Sequence, residues 1–137
     1  VKIALLSCTA RKRNESCTAS EMYEPSTFFK AQKAYAEKYC DTYLILSAEH
    51  GVLTPRQVIQ PYNKTLKSMP KSERQAWAKK VKLQLEQYNN INTDFVILAG
   101  QSYKEFIIDW LRASYKISEP LVGKGGIGSQ VSWLQKA

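Results

Sequence analysis

Three apolar runs, VKIALLS at 1–7, TYLILSA at 42–48 and DFVILAG at 94–100, most constrain what this chain can fold into. Each is short, nearly continuously hydrophobic and rich in β-branched or long aliphatic residues, the pattern of a strand covered on both faces of a parallel sheet. Parallel neighbours need a crossover, and helical spacing fills the gaps between the runs. Phe28, Ala31, Tyr35, Ala36 and Tyr39 form one stripe behind Ser26 as N-cap. Trp77, Val81, Leu85 and Tyr88 form a second, with Ser72 and Gln75 in capping-box spacing and Arg74, Lys79, Lys80 and Lys82 making that helix basic. Tyr103, Phe106, Ile107, Trp110 and Leu111 predict a third. The tail reads as a short strand, a glycine-rich turn and a final helix carrying Val131, Trp133 and Leu134. The alternation predicts one α/β domain over 1–137, three-layer α/β/α, with a mostly parallel central sheet.

Composition narrows the class. At 137 residues, 44% hydrophobic and 11% aromatic, the chain suits one packed core and not a disordered or fibrous polymer. No apolar run approaches the roughly 20 residues of a membrane span, and VKIALLSC lacks the basic start and cleavage site of a signal peptide, so the expectation is a cytoplasmic protein without a membrane partner. Cys8, Cys17 and Cys40 are an odd number with no CxxC pair, and His50 is the single histidine. That set argues against disulfides and against a structural zinc site, and no cofactor is expected. The net charge of +8 favours phosphate-bearing partners. Oligomeric state is not legible.

Right-handed crossovers place the strand-to-helix loops along one sheet edge, where ligands of such sheets bind. SCTARKR, SAEHG with PYN, and AGQSY should therefore converge. In the first, Ser7, Cys8 and Thr9 are small polar groups. Arg11, Lys12 and Arg13 alone read as a solvated loop, and the position after a strand makes Lys12 a ligand contact. Cys8 reads as a buried small residue, because no second histidine exists to activate a nucleophile. Glu49 and His50 can each move a proton, and as neighbours on an extended chain they point opposite ways. Tyr62 can stack on an unstacked base while Asn63 bonds its edge; Pro61-Tyr62 equally suits a loop fixed against the core. Tyr103 lies on a core stripe, with packing as its first explanation. GKGGIG resembles a phosphate cradle but lacks the Lys-Ser/Thr ending of a Walker loop.

In order, SCTARKR, MYEPSTFF, ILSAEHGVL, PYNKTL, AWAKKV, ILAGQSY and GIGSQVSWL resemble the pattern of domain-of-unknown-function family 6884 over almost the whole chain. The resemblance carries a Cys-containing turn with a downstream Lys (Cys8, Lys12), a Tyr-x-x-Ser (Tyr23, Ser26), a Leu-Ser-Ala-x-His-Gly (Leu46 to Gly51), a Pro-Tyr-Asp and a closing Gly-Ile-Gly-x-Gln-x-x-Trp with Gln130. Asn63 stands where that pattern has Asp, which favours amide recognition over a carboxylate role. The family is similar to the lysine-transfer domain of archaeosine synthases, which implies a uracil-DNA-glycosylase-like architecture and a pocket for a modified base in DNA or RNA. The implied chemistry is cleavage or exchange of an N-glycosidic bond on a flipped nucleotide, in phage defence or phage DNA modification. Glu49, His50 and Asn63 are then the catalytic candidates, and Ser7, Cys8, Lys12, Tyr23, Ser47, Tyr62, Tyr103 and Gln130 the substrate contacts. Asp94 opens a strand at the far end and is set aside. The competing expectation is a module that binds a nucleotide or nucleic acid without turning it over.

Overall fold

A computed structural model of the chain describes residues 1–89 and 92–137. The first apolar run is β1 (Lys2–Ser7). The polar stretch behind it holds two small elements, β2 (Cys17–Thr18) and α1 (Ala19–Met22), before α2 (Thr27–Tyr39) begins. Ser26 caps α2 as expected, its Oγ accepting the Phe29 N–H at 3.1 Å. The second run is β3 (Thr42–Ser47), followed by β4 (Gly51–Leu53) and β5 (Val58–Ile59). α3 (Lys71–Leu85) leads to β6 (Asp94–Ile97), and α4 (Gln101–Lys104), α5 (Ile108–Ser114), β7 (Lys116–Ser118) and α6 (Ile127–Lys136) complete the order.

The main sheet runs β4-β3-β1-β6-β7. β1 lies at its centre, with Leu5 opposite Leu44 on one side and Ile97 on the other, all parallel. β7 extends β6 in parallel, and only β4 is antiparallel. Ile3, Ala4, Leu5 and Leu6 are buried in succession, which explains the unbroken apolar run: both faces of the central strand are covered. Reversal of strand order about β1 sends the crossovers through α2 and α3 to opposite faces under the right-handed rule. α6 packs on α2 through Trp133 against Tyr35, at 5.5 Å between ring centroids.

Three local expectations are corrected. α3 does not start on a Ser72–Gln75 box: Pro70 is its N-cap, and the Pro70 carbonyl accepts from Glu73 and Arg74 N–H. Pro70 has an extended ψ and Glu73 supplies the first-turn acid, which fits the dipole better than Gln75 one turn in. The stripe from Tyr103 to Leu111 is two helices, because the chain turns between Lys104 and Ile108; Ile107 and Leu111 are buried while Tyr103, Phe106 and Trp110 are half-buried. The stretch after β3 is not simply extended: β4 folds back on β3, and β5 pairs with β2 as a two-stranded ribbon.

Candidate functional site

The reversal of strand order falls between the parallel strands β1 and β6, and the strands separate there. Leu98 and Ala99 N–H both reach Leu5 O, so the N–H of Ser7 has left the ladder and donates to Gln32 Oε1 of α2 at 3.2 Å. Ser7 Oγ in turn accepts from Gly100 N–H at 3.4 Å. Such a crevice beyond the carboxyl ends is where open α/β sheets place ligands.

Ser47, the last residue of β3, organises the neighbouring loop. Its Oγ accepts the N–H of Glu49 at 3.2 Å and of His50 at 3.1 Å, which closes the turn into β4, and it bonds the Tyr62 hydroxyl at 2.8 Å. Tyr62 shares a further bond of 2.5 Å with the Tyr23 hydroxyl. Trp77 of α3 donates its indole N–H to Ser47 O at 2.8 Å, tying the loop to a helix. Beside this chain the Cys8 thiol meets the Tyr103 hydroxyl at 3.1 Å, and the Tyr103 ring stands edge-on to Trp77 at 5.7 Å. Three of the expected contacts, Tyr23, Ser47 and Tyr62, thus form one cluster with the catalytic candidate His50, and Cys8 with Tyr103 form a pair next to it.

The Tyr62 hydroxyl bonds both Ser47 Oγ and the Tyr23 hydroxyl, and in each pair either oxygen can be the donor. Burial raises the pKa of Tyr23, Tyr62 and Tyr103 well above the ordinary phenol value, so all three are neutral donors near neutrality.

The charged candidates lie around the rim. Lys12 is half-buried with its Nζ over the Tyr62 ring, 4.5 Å from the centroid, and burial lowers its pKa, opposed by the nearby Cys8. It borders an open cleft of about 410 Å³ that also takes in Arg13, Asn14 and Cys17. The His50 ring meets the edge of Tyr62 at 5.5 Å. Glu49 is exposed and lines a second depression of about 370 Å³ with Trp77, Lys64 and Lys80. Asn63 is exposed on the far side of Tyr62 in sequence. Gln130 stands on α6 and donates to Gly125 O at 2.9 Å, so it fastens the glycine turn and no contact joins it to the cluster among the described residues. No group of three or more His, Cys, Asp or Glu that could hold a metal occurs among the described residues. Among them, no helix is long and apolar enough to cross a membrane.

Gln32 and Trp77 are parts of this site that the sequence reading did not assign. Gln32 is fully buried, with its Nε2 unpartnered. The available signal was an amide one helical turn after Phe28 and one before Ala36, inside an apolar stripe.

A family model matches residues 3–136, that of DUF6884, a family of unknown function. No curated protein and no solved structure matches the chain.

Proposed function

The chain belongs to the DUF6884 family, and from that premise we propose that it is a nucleobase-processing enzyme that cleaves or exchanges an N-glycosidic bond. In its most specific form the proposal is a uracil-DNA-glycosylase-like DNA glycosylase acting on a modified base, in phage defence or phage DNA modification. One observation carries the reading: the neutral phenolic hydroxyls of Tyr23 and Tyr62 are gathered on Ser47 at the carboxyl end of β3, with the Tyr62 ring beside His50 and Lys12. A donor of that kind suits a carbonyl oxygen or ring nitrogen of an uncharged, flat ligand, and the Tyr62 ring suits its face.

The residues divide the work as follows. Tyr62 stacks on the flipped base and Asn63 bonds its edge. Tyr23 or Tyr62 donates to a base acceptor, which withdraws electrons from the glycosidic nitrogen and helps the base depart. Lys12 faces the phosphate side, next to its open cleft. His50, held against Tyr62, and Glu49 are the groups that can take the proton of the attacking water or other acceptor, and the Glu49 carboxylate stabilises the cationic sugar.

The test is mass spectrometry of bases released from unmodified and hypermodified phage DNA, with abasic sites scored in parallel. Released base with matching abasic sites, lost in Glu49→Ala or His50→Ala, is the expected outcome. Full activity in both variants removes their catalytic assignment. A second reading, binding without turnover, is favoured by the exposure of Glu49, whose carboxylate no described residue holds in place. It predicts binding with neither product.

A further inference from the structure

The positive charge of this protein is concentrated in one segment. Between Lys64 and Lys82 the chain carries seven cations and a single carboxylate, Glu73, which accounts for six of its eight net positive charges. Elsewhere thirteen cations are offset in number by eleven carboxylates, and four of them are ion-paired: Arg13 and Lys33 on Glu24, and Lys104 and Arg112 on Glu119. Within the segment Arg74 is committed, 3.0 Å from Glu105. The other six, Lys64, Lys67, Lys71, Lys79, Lys80 and Lys82, have no carboxylate within ion-pair distance among the described residues, and all but the half-buried Lys82 are exposed.

This segment is joined to the candidate site. Trp77 reaches Ser47 O from the buried side of α3, and Lys64 and Lys80 flank the depression that has Trp77 in its floor and Glu49 on its rim. We propose that the Lys64–Lys82 segment is the docking face for the sugar-phosphate backbone of a polynucleotide, with Lys64 and Lys80 at that depression and the exposed Lys67 one short step along the chain from Lys64. The proposal rests on the nucleobase reading above and specifies which surface holds the polymer's backbone.

The chemistry of the face separates a polynucleotide from other polyanions. A helix that lies on an anionic bilayer must turn an apolar face outward, whereas α3 buries Trp77, Ala78, Val81 and Leu85 against the sheet and exposes only Leu83 among its large hydrophobics. A protein interface needs a core of aromatic, Met or Arg anchors and is depleted in Lys. A row of mobile ammonium groups without such a core matches a partner bound through phosphates and counterion release.

The experiment is fluorescence anisotropy on labelled mixed-sequence DNA, single-stranded and duplex, over a range of salt concentrations. Wild type is compared with Lys64→Gln/Lys67→Gln/Lys80→Gln and with Lys2→Gln/Lys116→Gln/Lys136→Gln, which removes the same charge from other exposed positions. Circular dichroism and a thermal melt establish that both triples fold. The expected result is a salt slope reduced by about one per contacting lysine and roughly a 10-fold or greater affinity loss in the first triple, with the second close to wild type. Equal losses in both triples overturn the proposal, as does wild type without salt-dependent DNA binding, including the case in which it binds only phosphatidylserine vesicles. Base release from DNA undiminished in the first triple overturns the docking face and leaves the nucleobase reading standing. Salt-dependent binding through this face without base release does the reverse to the catalytic reading.

Discussion

The Lys12 ammonium lies over the Tyr62 ring, 4.5 Å from its centroid, on a face that a stacked base would need. The contact stabilises the free protein by an amount typical of a half-buried cation–π pair, about 0.5–1 kcal/mol, and a base that stacks there must first displace it. Lys12→Met therefore separates two effects. An uncharged nucleoside should bind roughly 2- to 5-fold tighter to the variant, since about that factor corresponds to the contact. A nucleotide or oligonucleotide should bind more weakly, because the cation beside the cleft is gone. Calorimetric titration with a nucleoside and with its 5′-monophosphate reads both, and equal shifts for the two ligands would remove Lys12 from the phosphate side.

Tyr62 holds two roles that substitution can split. Tyr62→Phe keeps the ring and deletes the hydroxyl shared by Ser47 and Tyr23. Two buried groups lose a partner, so a stability loss of about 1–3 kcal/mol is expected in urea denaturation. Base stacking should survive. Tyr62→Ala also removes the ring, and binding of a single-stranded oligonucleotide should then fall by a further 10- to 100-fold or so, the equivalent of about 1–3 kcal/mol of stacking. Equal binding by the Phe and Ala variants would show that no base rests on this ring.

The raised pKa values of Tyr23, Tyr62 and Tyr103 make stability fall in alkali. In the unfolded chain these phenols ionise at their ordinary value of 10.0, while the folded state keeps them protonated. The folded state then binds more protons, so stability is fully present below about pH 10 and declines as pH climbs beyond it, by at most about 1.4 kcal/mol per pH unit for each tyrosine. Lys12 works in the opposite sense, because its lowered pKa leaves the unfolded state with more protons as pH rises toward 10.5. Three groups outweigh one. Urea midpoints followed from neutral pH into alkali should drop more steeply in wild type than in Tyr103→Phe, and parallel curves would mean that Tyr103 ionises in the fold as readily as in the unfolded chain.

Where the sequence was legible, burial was continuous. Ile3 to Leu6, Tyr43 to Leu46 and Phe95 to Leu98 are shielded on both faces, so their composition alone marks strands. β2 and β5 are two residues each, too short for any period to register, and their pairing joins positions about forty residues apart. The break between α4 and α5 was hidden because Ile107 is buried in a turn as a helical residue would be. In the site, Tyr23, Ser47 and Tyr62 were nameable through the family resemblance, but their hydrogen-bonded chain is a tertiary fact with no local signature. Gln32 was illegible for the same reason: the amide substitutes for a ladder partner that Ser7 loses only because β1 and β6 separate.

Gly51 ties the site loop to α3, and its replacement tests how much the loop geometry matters. The residue sits at φ 75°, a conformation that side chains rarely adopt, and a Cβ there would collide with the Gln84 side-chain amide. That amide accepts the Val52 N–H at 2.8 Å and donates to His50 O at 3.4 Å, so it cannot move without releasing the backbone on either side of the glycine. Gly51→Ala should therefore lose more than the roughly 1–2 kcal/mol of left-handed strain alone. Gly51→Ala with Gln84→Ala should recover the clash but not the strain, leaving a non-additive pair in a double-mutant cycle. Strict additivity of the two substitutions in urea denaturation would show that Gln84 does not grip this turn, and the placement of His50 against Tyr62 would then depend on Ser47 alone.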